Sequence, residues 1–292
     1  MIPGQFDYVR PESLDEALRI LSDREGEAKL LSGGYSLIPL IKLRLAQPAL
    51  LVDMQAITGL DGISEDDDWL RIGGRATHRQ IGTNEVVVAR YEMTRELAGG
   101  IGDPQVRNWG TIGGSVAHAD PASDWPAALL ATNATIVCRG LDGEREILAR
   151  DFFLDTFTTA IEPTEILTEV RIRRRTRGNG GSYQKLERRV GDFATAGVAT
   201  IVVLRDDGTI RHAGIGITGV SSSPFAATGA EQVLIGQKPG DALFRAAGAA
   251  AGAASQPVSD VRGPEVYKRA MVAELTVRAL RAATERALAF NG

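Results

Sequence analysis

Two pairs of adjacent glycines, each flanked by hydroxyl side chains, are the residues of this chain best suited to bind a charged ligand. The two segments are Ser32-Gly33-Gly34-Tyr35-Ser36 and Thr111-Ile112-Gly113-Gly114-Ser115. Glycine allows a positive φ and a close approach of the backbone, and successive N–H groups in such a turn form a concave anion site. A lone Gly-Gly is typical of an ordinary turn, because 33 of the 292 residues are glycine. The two segments together favour a clamp for a diphosphate.

Other polar and glycine positions have structural interpretations on the residues alone. Asp120 and Asp124 precede a predicted helix and are typical of helix caps. Lys185 lies in a predicted strand, where a lysine commonly extends to the surface, and Leu167 is typical of a core position. Residues 214–219 fit the dinucleotide pattern GxGxxG, but they lie in an alternating run with no helix behind it. This context favours a strand, with a pyridine-dinucleotide site as the alternative.

Composition and charge exclude several classes of function. The net charge of −4 argues against a nucleic-acid partner, because that binding needs clustered cations. A run of five arginines between residues 171 and 177 favours a solvated strand end over an anion site. The single cysteine, Cys138, cannot form a disulfide within the chain or hold an iron–sulfur cluster, and the three histidines lack zinc spacing. Metal chemistry is therefore expected on another chain.

The apolar pattern predicts a soluble α+β protein in three parts: residues 1–55, 56–177 and 178–292. Helices are expected at 11–21, 38–45, 78–89, 91–97, 124–131, 242–254 and 267–289, and strands at 29–31, 50–53, 69–73, 135–139, 165–173, 182–186, 196–204 and 210–220. The first part is expected to be a β-α-β unit, and residues 99–114 a loop. The last part is expected to be an antiparallel sheet with helices on one face. Without a secretion signal or a long apolar stretch, a cytoplasmic location is predicted.

The glycine segments and their flanks carry a resemblance to a known family. Residues 33–46 and 103–114 resemble the FAD-binding medium subunit of the molybdenum hydroxylases, the xanthine dehydrogenase family, and most of all its aerobic carbon monoxide dehydrogenase type. The resemblance continues through residues 191–196 and 260–264 and so covers essentially the whole chain. It implies a two-lobed FAD-binding domain of the vanillyl-alcohol-oxidase (PCMH) type, followed by the C-terminal α+β domain.

The resemblance also implies which residues bind FAD. Residues 32–36 and 111–115 are implied contacts of the diphosphate and the adjoining ribityl chain. Asp124 is implied as a ligand of the ribityl hydroxyls, Lys185 as a cation near the flavin ring and Leu167 as an apolar contact. Phe193 is implied to shield one face of the ring. No catalytic residue and no metal ligand is implied in this chain.

This chain departs from the family pattern at three of these positions. Tyr35, Ser115 and Phe193 stand where family members often carry His, Asn and Tyr. Tyr and Ser still offer hydrogen bonds, whereas Phe193 lacks the hydroxyl of its tyrosine counterpart. The departures change the expected side-chain contacts and leave FAD as the expected cofactor.

The function implied by the resemblance is electron transfer within a larger complex. A large molybdopterin-binding subunit would hold the molybdenum cofactor, and a small subunit the [2Fe-2S] clusters, in a dimer of heterotrimers. Electrons would pass through the FAD to an external acceptor. Carbon monoxide, oxidised with water to CO2, is the leading substrate, with an aromatic or N-heterocyclic substrate as the close alternative. A stand-alone FAD oxidoreductase, a scaffold without cofactor and association with a membrane through the complex are further alternatives.

Overall fold

The computed structural model describes residues 2–290 and begins with a small parallel sheet. Its elements are strand β1 (Asp7–Val9), helix α1 (Leu14–Asp23), strand β2 (Ala28–Leu31), helix α2 (Leu37–Lys42) and strand β3 (Leu50–Asp53). The strand order is β1-β3-β2, with both pairings parallel. Helix α1 begins after Ser13, whose side chain accepts the N–H of Glu16, and it buries Ala17, Leu18 and Leu21.

The second sheet is antiparallel and has five strands in the order β4-β5-β10-β6-β7. In chain order its part of the fold contains β4 (Ile63–Glu65), β5 (Trp69–Gly73), α3 (His78–Thr83), α4 (Glu85–Arg90), α5 (Glu92–Gly100), α6 (Pro104–Trp109), α7 (Ile112–His118), α8 (Asp124–Thr132), β6 (Thr135–Gly140), β7 (Gly143–Leu148), α9 (Ala149–Phe152), β8 (Phe153–Asp155), β9 (Thr158–Thr159) and β10 (Ile166–Arg173). Strands β8 and β9 form a separate two-stranded ribbon. The buried core of this part centres on Trp125 and Phe152.

The third sheet is also antiparallel, with the order β11-β12-β13-β14. Its elements are β11 (Asn179–Leu186), β12 (Ala196–Leu204), β13 (Ile210–Thr218), β14 (Phe225–Ala226), α10 (Thr228–Leu234), α11 (Asp241–Ala254) and α12 (Glu265–Ala289). Val198 and Val202 share a core with Ala247 and Leu280, so helices α11 and α12 cover one face. The predicted α+β class and the antiparallel sheet with helices on one face are confirmed.

The other face of the third sheet packs against helix α8, and the glycines of the GxGxxG pattern make this possible. A Cβ atom on Gly214 would lie 1.8 Å from the Ala131 carbonyl oxygen, and one on Gly216 would lie 1.9 Å from that of Ala127. Both glycines are inside strand β13, as the alternating pattern predicts. The pattern therefore serves close helix–sheet packing, and the strand interpretation is confirmed.

Several sequence predictions about local structure are wrong. The helix expected at 78–89 is two helices, because Asn84 ends α3 and caps α4 with its side chain. The loop expected at 99–114 contains α6 and the start of α7, capped by Asp103 and Thr111. Strand β1 was not predicted. The arginine run is not wholly solvated, since Arg175 is only 5% exposed.

No helix within residues 2–290 is both long enough and apolar enough to cross a membrane.

Candidate functional site

The first glycine segment leads from the end of β2 to the start of α2 and leaves its N–H groups free. Gly34 has a φ of 82°, a conformation that glycine adopts without strain. The N–H groups of Gly33, Gly34, Tyr35 and Ser36 donate to no acceptor within residues 2–290. Unpaired backbone donors that are partly withdrawn from water are costly, so a run of four indicates a ligand. Consecutive N–H groups of this kind suit the oxygens of a phosphate.

The second glycine segment has a different role, because it forms the first turn of helix α7. Its N–H groups are already bonded: Ile112 donates to the Ala76 carbonyl at 3.0 Å and Gly113 to that of Gly74 at 2.9 Å. The next two N–H groups donate to Thr111, one to its side chain and one to its carbonyl. A Cβ atom on Gly113 would lie 2.5 Å from the Gly74 oxygen. The expectation of free amides at Ile112–Ser115 is therefore not met, and these glycines serve close packing.

The two glycine segments are in direct contact. The hydroxyl oxygens of Ser32 and Thr111 lie 3.0 Å apart. A Cβ atom on Gly33 would lie 2.3 Å from the carbonyl oxygen of Trp109 and 2.8 Å from the Cα of Gly110. The free N–H groups of the first segment therefore lie beside the hydroxyls of both segments.

Asp124 and Lys185, two residues singled out from the sequence, form a buried ion pair. The Lys185 Nζ lies 3.0 Å from Oδ2 of Asp124 and 3.2 Å from a carboxylate oxygen of Glu187. The Tyr183 hydroxyl donates to Oδ1 of Asp124 at 2.5 Å. Tyr183, Lys185 and Glu187 alternate along β11 and its end, so their side chains share one face.

Burial governs the protonation of this cluster. It raises the pKa of the Asp124 carboxyl, and the ammonium of Lys185 and the hydroxyl of Tyr183 act in the opposite direction. Burial, together with the Asp124 carboxylate, raises the pKa of the Tyr183 hydroxyl well above its ordinary value. The tyrosine therefore stays a hydrogen-bond donor, and the Lys185 Nζ is held between two carboxylates.

Two further contacts connect the glycine segments with this cluster and with the second sheet. Ser115 of α7 and Ser123, the residue before Asp124, have hydroxyl oxygens 2.8 Å apart. Leu167 is buried in β10, and a Cβ atom on Gly74 would lie 2.4 Å from its carbonyl oxygen. Since Gly74 also accepts the N–H of Gly113, Leu167 lies directly behind the second glycine segment.

Two aromatic side chains are exposed at this site. Tyr35 is 44% exposed beside the free N–H groups, and Phe193 is 48% exposed. The N–H of Ala194 lies 3.4 Å from the carbonyl oxygen of Ala122, which brings the Phe193 segment close to the start of α8. The predicted residues thus form one continuous set of contacts, drawn from all three sheets.

Sequence reasoning missed three residues of this set: Ser123, Tyr183 and Glu187. Asp124 is not a helix cap, because Ser123 holds the cap position and Asp124 is the first helical residue. The alternation of Tyr183, Lys185 and Glu187 in the sequence is a signal for a shared polar face that could have indicated the last two. Asp120 instead accepts the N–H of Ala122.

The free amides, the adjacent hydroxyls, the glycine backbone and the nearby ion pair fit a dinucleotide with a diphosphate. Comparison with known families agrees with this class of site. The family model described as "FAD binding domain in molybdopterin dehydrogenase" matches residues 4–173, and that of the "CO dehydrogenase flavoprotein C-terminal domain" matches residues 181–283. The chain belongs to the family of medium, FAD-binding subunits of molybdenum hydroxylases, and FAD as cofactor is confirmed.

Particular relatives within the family act on different substrates. The chain is 41% identical to the carbon monoxide dehydrogenase medium chain of Hydrogenophaga pseudoflava, over 98% of this chain and 99% of that one. It is 36% identical to the 6-hydroxypseudooxynicotine dehydrogenase complex subunit alpha of Paenarthrobacter nicotinovorans, over 98% and 97%. Its fold is similar to that in a solved structure of the Hydrogenophaga pseudoflava carbon monoxide dehydrogenase, with a TM-score of 0.95, 41% identity and coverage of 98% and 99%.

Proposed function

We propose that this chain holds the FAD diphosphate at the N–H groups of Gly33, Gly34, Tyr35 and Ser36 and serves as an electron-transfer subunit. The observation that supports the proposal is the run of four N–H groups without an acceptor in residues 2–290, beside the hydroxyl of Thr111. Backbone donors suit this role because the turn fixes their positions without the conformational freedom of a side chain. The hydroxyls of Ser36 and Thr111 supplement them.

The other site residues take the remaining parts of the cofactor. In this proposal FAD lies between residues 1–55 and 56–177, and residues 178–292 contribute Lys185 and Phe193. The Asp124 carboxylate accepts hydrogen bonds from the ribityl hydroxyls. Leu167 gives an apolar contact to the ring, and Phe193 covers one of its faces. Residues 112–115 shape the site through close packing.

The chemistry of the bound cofactor depends on charges that the chain holds in place. FAD, when bound, takes up single electrons and releases them in pairs. Tyr183 donates to Asp124 and so orients its carboxylate. Asp124 and Glu187 hold the Lys185 ammonium, which brings a positive charge to the ring and favours negative charge there.

The partners in this proposal are a large molybdopterin-binding subunit and a small [2Fe-2S] subunit, arranged as a dimer of heterotrimers. Electrons reach this chain from the small subunit and leave to an external acceptor. Carbon monoxide is the proposed substrate, supported by the 41% identity to a carbon monoxide dehydrogenase medium chain. An N-heterocyclic or aromatic substrate is the second candidate, supported by the 36% identity to a subunit of a 6-hydroxypseudooxynicotine dehydrogenase.

The test is purification of the native protein with its partners, followed by its visible spectrum and identification of the copurifying chains. We expect flavin and iron–sulfur absorbance, two further subunits and reduction of a dye acceptor by carbon monoxide. If an N-heterocycle reduces the dye and carbon monoxide does not, the N-heterocycle takes the place of carbon monoxide as the proposed substrate. The proposed role of the chain as an electron-transfer subunit is then unchanged. A flavin-containing chain without partners would favour a stand-alone oxidoreductase, and a colourless chain would overturn the proposal.

A further inference from the structure

A cavity outside the candidate FAD site lies where helix α8 ends over the third sheet. Helix α8 covers Gly214 and Gly216 and ends at Thr132, whereas the strands continue beyond this point. Ile201, which pairs with Gly214, and Val203 lie on the same face of the sheet. A cavity of about 300 Å³ occupies the space between this face, the start of α5 and the end of β10. This volume is at the small end of the range in which proteins bind organic ligands.

The floor of the cavity is apolar. It is lined by Met93 of α5, Ile172 of β10 and the strand residues Ile201 and Val203. Removing an apolar surface from water in such a space is favourable in proportion to the area buried. The floor therefore favours a ligand with a compact apolar body.

The rim of the cavity is strongly positive. Five arginines line it: Arg90, Arg173, Arg174, Arg175 and Arg211. Fewer carboxylates are available to them. Glu65 lies 2.9 Å from Arg90 and 3.3 Å from Arg174, and Glu92 pairs with Arg175. The exposed Asp67 lies 3.8 Å from Arg174.

One of these arginines carries a charge that no carboxylate balances, because Arg211 forms no ion pair within the described residues 2–290. Arg173 stacks on the ring of Trp69 at 3.9 Å, so its guanidinium lies on the face of β10 opposite to Ile172. The buried Nε atom of Arg90 also has no hydrogen-bond acceptor there. Guanidinium groups make charge-assisted hydrogen bonds to planar anions, often two at once. The rim therefore favours an anionic head group.

We propose that this arginine-rimmed cavity binds a small organic anion, a carboxylate with a compact apolar body. The cavity is separate from the proposed FAD site, because Asn179 lines it at one end of β11 and Lys185 lies toward the other. At about 3.3 Å per residue, these two positions are ~20 Å apart. The ligand touches both the second sheet and the third, so its binding stabilises their association.

The experiment is a calorimetric titration of the full-length chain with naphthalene-2-carboxylate and, separately, with the uncharged 2-naphthalenemethanol. We expect saturable binding of one carboxylate per chain, with the alcohol binding at least about tenfold more weakly. Arg211→Ala is expected to weaken the carboxylate about tenfold and leave the alcohol unchanged. Arg19→Ala, which removes an exposed arginine on helix α1, is the matched control and is expected to bind like the wild type.

A second variant tests whether the ligand occupies the apolar floor of the cavity. Val203→Phe places a ring in the cavity and is expected to abolish binding of both compounds. The proposal is overturned if the carboxylate shows no saturable binding at about 1 mM, or if acid and alcohol bind equally. It is also overturned if Arg211→Ala binds the acid like Arg19→Ala. Because Arg211 is exposed, its variant remains informative even if Val203→Phe does not fold.

Discussion

Lys185 is the residue whose surroundings bear most directly on the proposed electron transfer. Its ammonium lies between the carboxylates of Asp124 and Glu187, and the second Asp124 oxygen is held by the hydroxyl of Tyr183. Opposite charges at this distance offset the cost of removing a cation from water. The Lys185 side chain is therefore held in one position, which a solvated surface lysine would not be.

Replacing Lys185 by methionine should lower the reduction potential of the bound flavin. The substitution keeps an unbranched side chain, one atom shorter, and removes the positive charge that favours negative charge on the ring. We expect a fall of at least about 30 mV, equivalent to ~1.4 kcal/mol for a two-electron couple. Spectroelectrochemical titration of the FAD-loaded chain measures it, with Lys29→Met, an exposed lysine on β2, as the control. Equal potentials in the two variants would contradict the proposed position of Lys185.

His78 predicts a specific dependence of stability on pH. The histidine is buried, and its Nδ1 accepts the indole N–H of Trp125 at 3.1 Å. Burial lowers its pKa from 6.5 to about 4. Because the unfolded chain binds the proton more tightly, stability is complete above about pH 6.5 and is lost as the pH falls toward 4.

The corresponding experiment compares the wild type with His78→Gln, whose amide oxygen can still accept the Trp125 N–H. We expect the wild type to lose about 2–3 kcal/mol more free energy of unfolding than the variant between about pH 7.5 and pH 4.5. Urea denaturation at both pH values measures the difference, and carboxylates that titrate in the same range are common to both proteins. The same loss in the two proteins would show that His78 does not carry the effect.

At the scale of elements, long regular patterns were predictable from the sequence and short capped helices were not. The apolar run of residues 196–204 predicted strand β12 with its observed bounds, and the alanine-rich run predicted α11 to within one residue. Helix α7 was missed because Gly113 and Gly114 have a low intrinsic helix propensity. The cap by Thr111 and the hydrogen bond from Gly113 to Gly74 stabilise it through tertiary structure.

Arg175 shows a second reason why some contacts could not be predicted from the sequence. Its guanidinium donates to the carbonyl oxygens of Arg90, Asn179 and Arg286 and stacks on the ring of Phe290. Because every residue has a backbone carbonyl, no sequence pattern indicates which carbonyl oxygens accept hydrogen bonds from Arg175. The same holds for the site: its glycine segments were recognisable, but the contact of Tyr183 with Asp124 depends on how β11 meets α8.

The packing of helix α8 on strand β13 predicts that Gly216→Ala is strongly destabilising. Its new Cβ atom would lie 1.9 Å from the Ala127 carbonyl oxygen, so helix and strand would have to separate. We expect a loss of about 3 kcal/mol in the free energy of unfolding in urea. Gly229→Ala is the control, because this exposed glycine of α10 has no atom near its Cβ position and should become more stable by about 0.5–1 kcal/mol. A fully stable Gly216→Ala protein would contradict the packing role.

At the scale of the whole molecule, the proposed FAD contacts lie at two interfaces, one between the first and second sheets and one between helix α8 and the third sheet. Ser32 meets Thr111 where the first and second sheets adjoin, and Asp124 meets Lys185 where helix α8 adjoins the third sheet. Binding sites are commonly formed between such units, because side chains from several elements converge there. FAD affinity therefore reports on how these parts fit together, as well as on individual contacts.

Gly33→Ala tests the interface between the first and second sheets, where the two glycine segments are in contact. The new Cβ atom would lie 2.3 Å from the Trp109 carbonyl oxygen, which belongs to rigid backbone, so the two glycine segments would have to separate. Separation moves the free N–H groups away from the Thr111 hydroxyl, and we expect FAD to bind at least about tenfold more weakly. Quenching of flavin fluorescence during titration of the apoprotein measures the dissociation constant. Gly62→Ala, at an exposed glycine with no atom near its Cβ position, should bind FAD like the wild type. If Gly33→Ala also binds FAD like the wild type, the diphosphate does not depend on the contact of these two segments, and its proposed position is wrong.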